Sequence, residues 1–217
     1  MINGIRLKVC GLTSLVDAEF ADQCGADYLG FILFPASPRY VSLIQFQCMF
    51  DHLPARKKVA VSVEPAPSEL VEMKAAGFDF FQIHFRPATP MGEIKEWSRI
   101  VGAEHLWLAP KLPPECDIQQ NWLELADYCM LDTYAADKFG GTGETGDWAK
   151  FARHLATYPR THWILAGGLD PDNIAQAVQA SGAKFVDVAS GVEFAPGLKD
   201  EAKIKQFAAE LGKARIA

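Results

Sequence analysis

The sequence predicts a single α/β domain over residues 1–217, a (β/α)8 TIM barrel with parallel strands. Eight short apolar runs suited to strands buried on both faces alternate with segments of helical spacing, and eight such repeats in this length fit a small closed barrel better than an open doubly wound sheet. Several runs also end in a reactive or glycine-rich motif, the pattern expected where a parallel barrel gathers the carboxyl ends of its strands.

The first run, 5–10, ends on Cys10 and is followed by Ser14 as a helix cap, apolar Val16, Phe20, Ala21 and Cys24, and a stop at Gly25. The second, 27–33, follows Cys24-Gly25-Ala26-Asp27, a helix-to-strand turn that returns as Ala76-Gly77-Phe78-Asp79 and as Ser181-Gly182-Ala183-Lys184. The third run, 57–63, leads to Ser68 as the next cap, and the fourth, 79–84, ends on His84. After the fifth, 105–110, Pro113 and Pro114 allow only a short helix before Ala126. The sixth, 128–132, closes on Asp132, the seventh, 162–166, on Gly167-Gly168, and the eighth, 184–189, on Ser190-Gly191. Ile204, Phe207, Ala208 and Leu211 mark the last helix.

With 49% hydrophobic and 22% charged residues, the chain suits one large core. A net charge of -6 with scattered Lys and Arg gives no basic field for nucleic acid. No apolar run approaches a membrane span, and the first strand begins too near Met1 for a signal peptide, so a cytoplasmic protein without a membrane partner is expected. Cysteines 10, 24, 48, 116 and 129 form no CxxC, which favours free thiols, with the last four as fillers. Histidines 52, 105, 154 and 162 have no metal-ligand spacing, and no metal is implied.

Position along each strand then assigns candidates, because side chains at the carboxyl ends converge on one mouth. Cys10 reads either as a small buried hydrophobe or as a thiol left open to a ligand by Gly11. Asp132 ends an apolar stretch where a carboxylate is costly to desolvate, and reads as a loop cap or as a reacting group. Gly167 and Gly168, with Asp170-Pro171 opening the next helix, and Ser190 and Gly191 after the last strand form the phosphate site expected after strands 7 and 8. The glycine-rich stretch 139–146 lacks the Walker pattern and suits a loop over the mouth.

Lys8 to Thr13, Gly30-Phe31-Ile32 with Ser37-Pro38-Arg39-Tyr40-Val41, Gln82-Ile83-His84, Leu131-Asp132-Thr133 with Gly140 to Gly143 and Asp147-Trp148, Ala166 to Leu169, and Asp187 to Glu193 with Pro196 to Asp200 together resemble phosphoribosylanthranilate isomerase. The resemblance runs from about residue 5 to 210 in order and spacing. It implies a cofactor-free Amadori rearrangement of N-(5'-phosphoribosyl)anthranilate in tryptophan biosynthesis, by a monomer or a homodimer. On the matching positions it implies Asp132 as general acid, Cys10 as general base, and Arg39, His84 and Asp187 as substrate contacts. These roles predict two pKa values pushed toward each other, the acid's up by burial and the thiol's down by positive charge.

The chain departs from the family pattern at Phe85, where glycine is usual, and at Glu64, Glu144, Gly146 and Ala189. Phe85 is expected to replace an apolar pocket wall lost to Glu64, so that Phe85→Gly would raise KM. The alternative outside catalysis is a divergent phosphosugar-binding barrel. It predicts decay at position 10 or 132, and both are intact.

Overall fold

The computed structural model describes residues 1–132 and 147–214. Eight strands close into one barrel in chain order, every pairing parallel. They are β1 (Arg6–Cys10), β2 (Tyr28–Ile32), β3 (Lys57–Val63), β4 (Phe80–Phe85), β5 (Leu106–Pro110), β6 (Tyr128–Leu131), β7 (His162–Leu165) and β8 (Phe185–Val188). Each lies within a residue or two of its predicted run. Buried parallel strands must be apolar on both faces, which is why an uninterrupted run marks them so well.

The helices α1 (Leu15–Gln23), α2 (Leu43–Phe50), α3 (Pro67–Ala75), α4 (Met91–Val101), α5 (Gln120–Leu123), α6 (Trp148–Thr157), α7 (Ile174–Ser181) and α8 (Glu201–Lys213) surround the barrel. The fifth is the short one, as its prolines require. Ser14 caps α1 by accepting the Asp17 N–H at 3.1 Å. Ser68 does not cap α3: Pro67 already fixes the first helical position, and the Glu69 carboxylate accepts the Ala66 N–H at 2.7 Å. Nor does Pro171 open α7, because Asp170 Oδ1 accepts the N–H groups of Asp172 and Asn173 and folds residues 170–173 into a turn before the helix. Among the described residues no helix is long and apolar enough to cross a membrane.

Strand alternation divides the core in two. Leu7, Val9, Leu29, Phe31, Ile83 and Phe85 face the helices, while Cys10, Tyr28, Val59, Val61, Trp107, Met130 and Ile164 fill the barrel. At the amino-terminal end the interior is aromatic: Tyr28 stands 5.6 Å from Phe80, 5.2 Å from Trp107 and 4.9 Å from Phe185 between ring centroids, and Trp107 lies 5.4 Å from Tyr128. Beyond β8, a short 3-10 turn (Ser190–Val192) leads into a hairpin of β9 (Glu193–Ala195) and β10 (Leu198–Lys199) beside the mouth.

Candidate active site

A cavity of about 580 Å3 opens at the carboxyl ends of the strands. Cys10, Arg39, His84, Asp132, Asp187, Gly167, Gly168 and Ser190 line it, so eight of the nine predicted site residues meet in one place. The ninth, Gly191, sits behind the wall. A Cβ there would come within 2.0 Å of the Leu169 carbonyl oxygen and 2.9 Å of the Asp170 Cα, so its bare Cα is what lets the loop after β8 rest on the loop after β7. Asn173 Nδ2 donates to the Gly168 carbonyl at 2.7 Å and fixes the first of these loops from below. Gly167 and Gly168 hold positive φ (91° and 62°), and among the described residues neither uses its N–H on the chain. The pair presents donors suited to an anion.

Cys10 projects inward from the last position of β1, 4% exposed. Two residues back on the same face, Lys8 is fully buried, and its ammonium donates to Asp187 Oδ1 at 2.9 Å. Gly30 faces them from β2; a Cβ there would stand 2.8 Å from Lys8 Cε and 3.0 Å from Cys10 Sγ, so the glycine yields interior volume to both. Burial would push the Lys8 ammonium down, but the Asp187 and Cys10 charges and hydrogen bonds outweigh it and hold the group above the ordinary lysine value. For Cys10 the balance differs from the expected one. Burial raises its pKa, Asp187 adds to the rise, and the opposing pull of Lys8 and Lys199 does not bring it below the ordinary thiol value in the empty barrel.

Arg39 is not free to swing in its loop. Its Nε and one terminal nitrogen donate to the two Glu193 oxygens at 2.8 and 2.7 Å, and its Cδ fills the space beside Gly11, where a Cβ would lie 2.6 Å away. Gly11 therefore makes room for arginine and does not simply uncover the thiol. Lys199 donates to the same Glu193 at 2.8 Å and to the Ala189 carbonyl at 3.1 Å, so one buried carboxylate ties two cations to the mouth. Glu193 holds the guanidinium above its usual pKa and, despite burial, is itself held below the usual carboxylate range. The edge of Arg39 turned from Glu193 suits a second carboxylate.

His84 is pushed down to about 4 by burial and by the Lys8 charge, so it is neutral at pH 7. The Gln82 amide donates to its Nε2 at 2.8 Å, which places the ring proton on Nδ1. Depression of a histidine means that below pH 6.5 the unfolded chain binds a proton the folded chain refuses. Stability should therefore fall from pH 6.5 to 4 by up to about 3 kcal/mol, measured by urea unfolding, and His84→Gln should flatten that limb. An unchanged slope in the variant would rule this out. Glu64, held at about 2 chiefly by Arg86, contributes a separate loss only as pH falls below 4.5.

That Glu64 corrects an expectation about the pocket wall. Its carboxylate accepts from the Arg86 N–H at 2.9 Å, the Arg86 guanidinium and Thr89 Oγ1 at 2.7 Å, binding the loops after β3 and β4 together away from the cavity. Phe85 does not replace a lost wall either. It is fully buried on the helix side, 5.8 Å from the Trp97 ring and 5.2 Å from Trp122. With His84 inward, its neighbour must face outward. Phe85→Gly is now expected to cost at least about 3 kcal/mol of stability, seen in the unfolding midpoint, with KM unchanged. Glu144, Gly146 and the loop expected over the mouth lie outside the described residues.

Sequence reasoning passed over Lys8, Gln82, Glu193 and Lys199, all buried and polar. The signal for Lys8 was a lone lysine inside the first apolar run; for Gln82 it was inward phase with His84. Gln82 Oε1 has no partner among the described residues and lies at the cavity wall, an acceptor suited to a hydroxyl. Among the described residues no group of His, Cys, Asp and Glu could hold a metal ion.

The family model that matches this chain is described as N-(5'phosphoribosyl)anthranilate (PRA) isomerase and covers residues 7–210. An N-(5'-phosphoribosyl)anthranilate isomerase of Zymomonas mobilis is 36% identical over 94% of this chain and 96% of its own. The solved phosphoribosyl anthranilate isomerase of Thermus thermophilus superposes with a TM-score of 0.80 at 32% identity, over 97% of this chain and all (100%) of its own. Another isomerase structure, 28% identical with a TM-score of 0.78 over 96% of this chain and 99% of its own, is a complex with reduced 1-(o-carboxyphenylamino)-1-deoxyribulose 5-phosphate.

Proposed function

The chain belongs to the phosphoribosylanthranilate isomerase family, and from that premise we propose how its own residues carry out the family's reaction. The protein is an isomerase of tryptophan biosynthesis that converts N-(5'-phosphoribosyl)anthranilate to 1-(2-carboxyphenylamino)-1-deoxyribulose 5-phosphate. The single domain spans residues 1–217 and acts as a monomer or a homodimer.

The observation that carries the assignment of roles is one cavity lined by Cys10 at the end of β1 and Asp132 after β6, which flank the loops after β7 and β8 in the strand order, and by an anchored arginine. Gly167, Gly168 and Ser190 take the phosphate, with Gly191 setting the spacing of their loops. Arg39 takes the anthranilate carboxylate, Glu193 keeping its fork in place. His84 and Asp187 contact the ribose portion; neutral His84 offers a hydrogen bond without competing for the reaction's protons.

With both ends held, Asp132 donates its proton to the ring oxygen as the C1–O bond breaks, leaving an open-chain iminium. Cys10 thiolate then removes the C2 proton. The C–H electron pair becomes the C1=C2 bond, the C=N π pair returns to nitrogen, and an enolamine forms. Protonation at C1 and loss of the C2 hydroxyl proton give the ketose. No atom is gained or lost overall, so no cofactor is required by the chemistry. The test is turnover of freshly generated phosphoribosylanthranilate followed by anthranilate fluorescence. Loss of signal is expected, and a folded but inactive protein would favour the binding barrel.

A further inference from the structure

We propose that Lys8 is the positioning residue of the base: clamped by Asp187 and given space by Gly30, its ammonium stabilises the thiolate that Cys10 must form to take the substrate's proton. The inference rests on the reading of Cys10 as general base.

Three observations carry it. A fully buried lysine in a barrel strand costs several kcal/mol to desolvate, and a hydrophobic residue at this place would build the same strand. The inward neighbours Val59, Val61, Met130 and Ile164 show that the interior here tolerates apolar side chains. Second, Lys8 donates to Asp187 Oδ1 at 2.9 Å, so the carboxylate fixes the ammonium on the inward face that it shares with Cys10, where both side chains border the space left by Gly30. Third, Gly30 stands at the point where any Cβ would collide with Lys8 Cε at 2.8 Å and Cys10 Sγ at 3.0 Å. The neighbouring strand leaves this one position without a side chain beside the pair.

Charge bookkeeping agrees with the chemistry. Lys8 and Asp187 form a neutral pair, and the thiolate adds one negative charge, offset from further out by Lys199 and Arg39. Among the described residues, Asp132 and His84 are the other titratable groups lining the cavity, with Glu193 behind Arg39; His84 is neutral, and Glu193 is already bound by Arg39 and Lys199. Of these cations, Lys8 is the one that shares the inward face of β1 with the sulfur. Its own proton is held too firmly for the amine to serve as the base.

The partners predict opposite displacements, which a merely structural ion pair does not. The experiment measures the pH dependence of Cys10 alkylation by iodoacetamide, read by mass spectrometry of the Cys10 peptide in ligand-free protein. Lys8→Met should raise the thiol pKa by at least about one unit, a tenfold loss of reactivity near neutral pH, and Asp187→Asn should lower it. The alkaline-rising limb of kcat/KM should move with the thiol in Lys8→Met, with KM little changed. If Lys8→Met does not fold, the Lys8→Met/Asp187→Asn double variant leaves no unpaired buried charge, and its thiol should titrate above that of Asp187→Asn. Thiol pKa values that stay at the wild-type position in these variants overturn the proposal. Normal turnover by Cys10→Ala would instead overturn the role of Cys10 itself, whatever Lys8 does to its titration.

Discussion

Cys10→Ala should lower kcat by at least about a thousandfold while the protein unfolds at nearly the wild-type midpoint. The side chain removed is small, and β1 keeps Leu7 and Val9 against the helices, so little packing is lost. What disappears is the group at the strand end that, in the mechanism we propose, takes the C2 proton. Asp132→Asn should lose as much, for the complementary reason: an amide has the carboxyl's shape and no proton for the ring oxygen. The two variants are separable by substrate. A substrate analogue already in open-chain form should restore much of the activity of Asp132→Asn and none of that of Cys10→Ala. Near-normal turnover by either variant would remove its residue from the mechanism.

Gly191→Val is the second large effect, and it acts through geometry alone. Its Cβ would have to occupy space 2.0 Å from a main-chain oxygen, which no rotamer can relieve, so the loops after β7 and β8 must part. On the proposed phosphate site, the groups at Gly167, Gly168 and Ser190 then no longer converge, and binding energy drawn from the non-reacting phosphate is lost. KM should rise by more than about tenfold, and inorganic phosphate should inhibit correspondingly less well. A variant that keeps both values would show that the loops do not need this contact to hold phosphate.

How much of this was legible in the sequence follows from the range of each interaction. Parallel strands announce themselves because both faces are buried, and the glycine turns because few residues replace them; barrel order and cavity position followed from these. Cys10 and Asp132 stand out in the sequence because each ends an apolar run, and both line the cavity. The Arg39–Glu193–Lys199 cluster was not, since Arg39 and Glu193 lie 154 positions apart and meet only when the barrel closes. Lys8 was legible only as the lone lysine inside the first apolar run, because its buried partner Asp187 lies at the far end of the chain. Phe85 was misplaced by treating a difference from the family as a pocket difference, when the two-residue period of β4 already turned it outward beside His84. The thiol's environment was beyond sequence: whether burial or a nearby cation wins depends on distances.

The aromatic floor of Tyr28, Phe80, Trp107 and Phe185 makes the barrel a cul-de-sac. Nothing passes through it, so aldose and ketose share one doorway and cannot occupy the chamber together. Turnover then has the rhythm of a single-berth dock: departure of one molecule is the condition for arrival of the next, and accumulated ketose obstructs the enzyme simply by queuing in reverse.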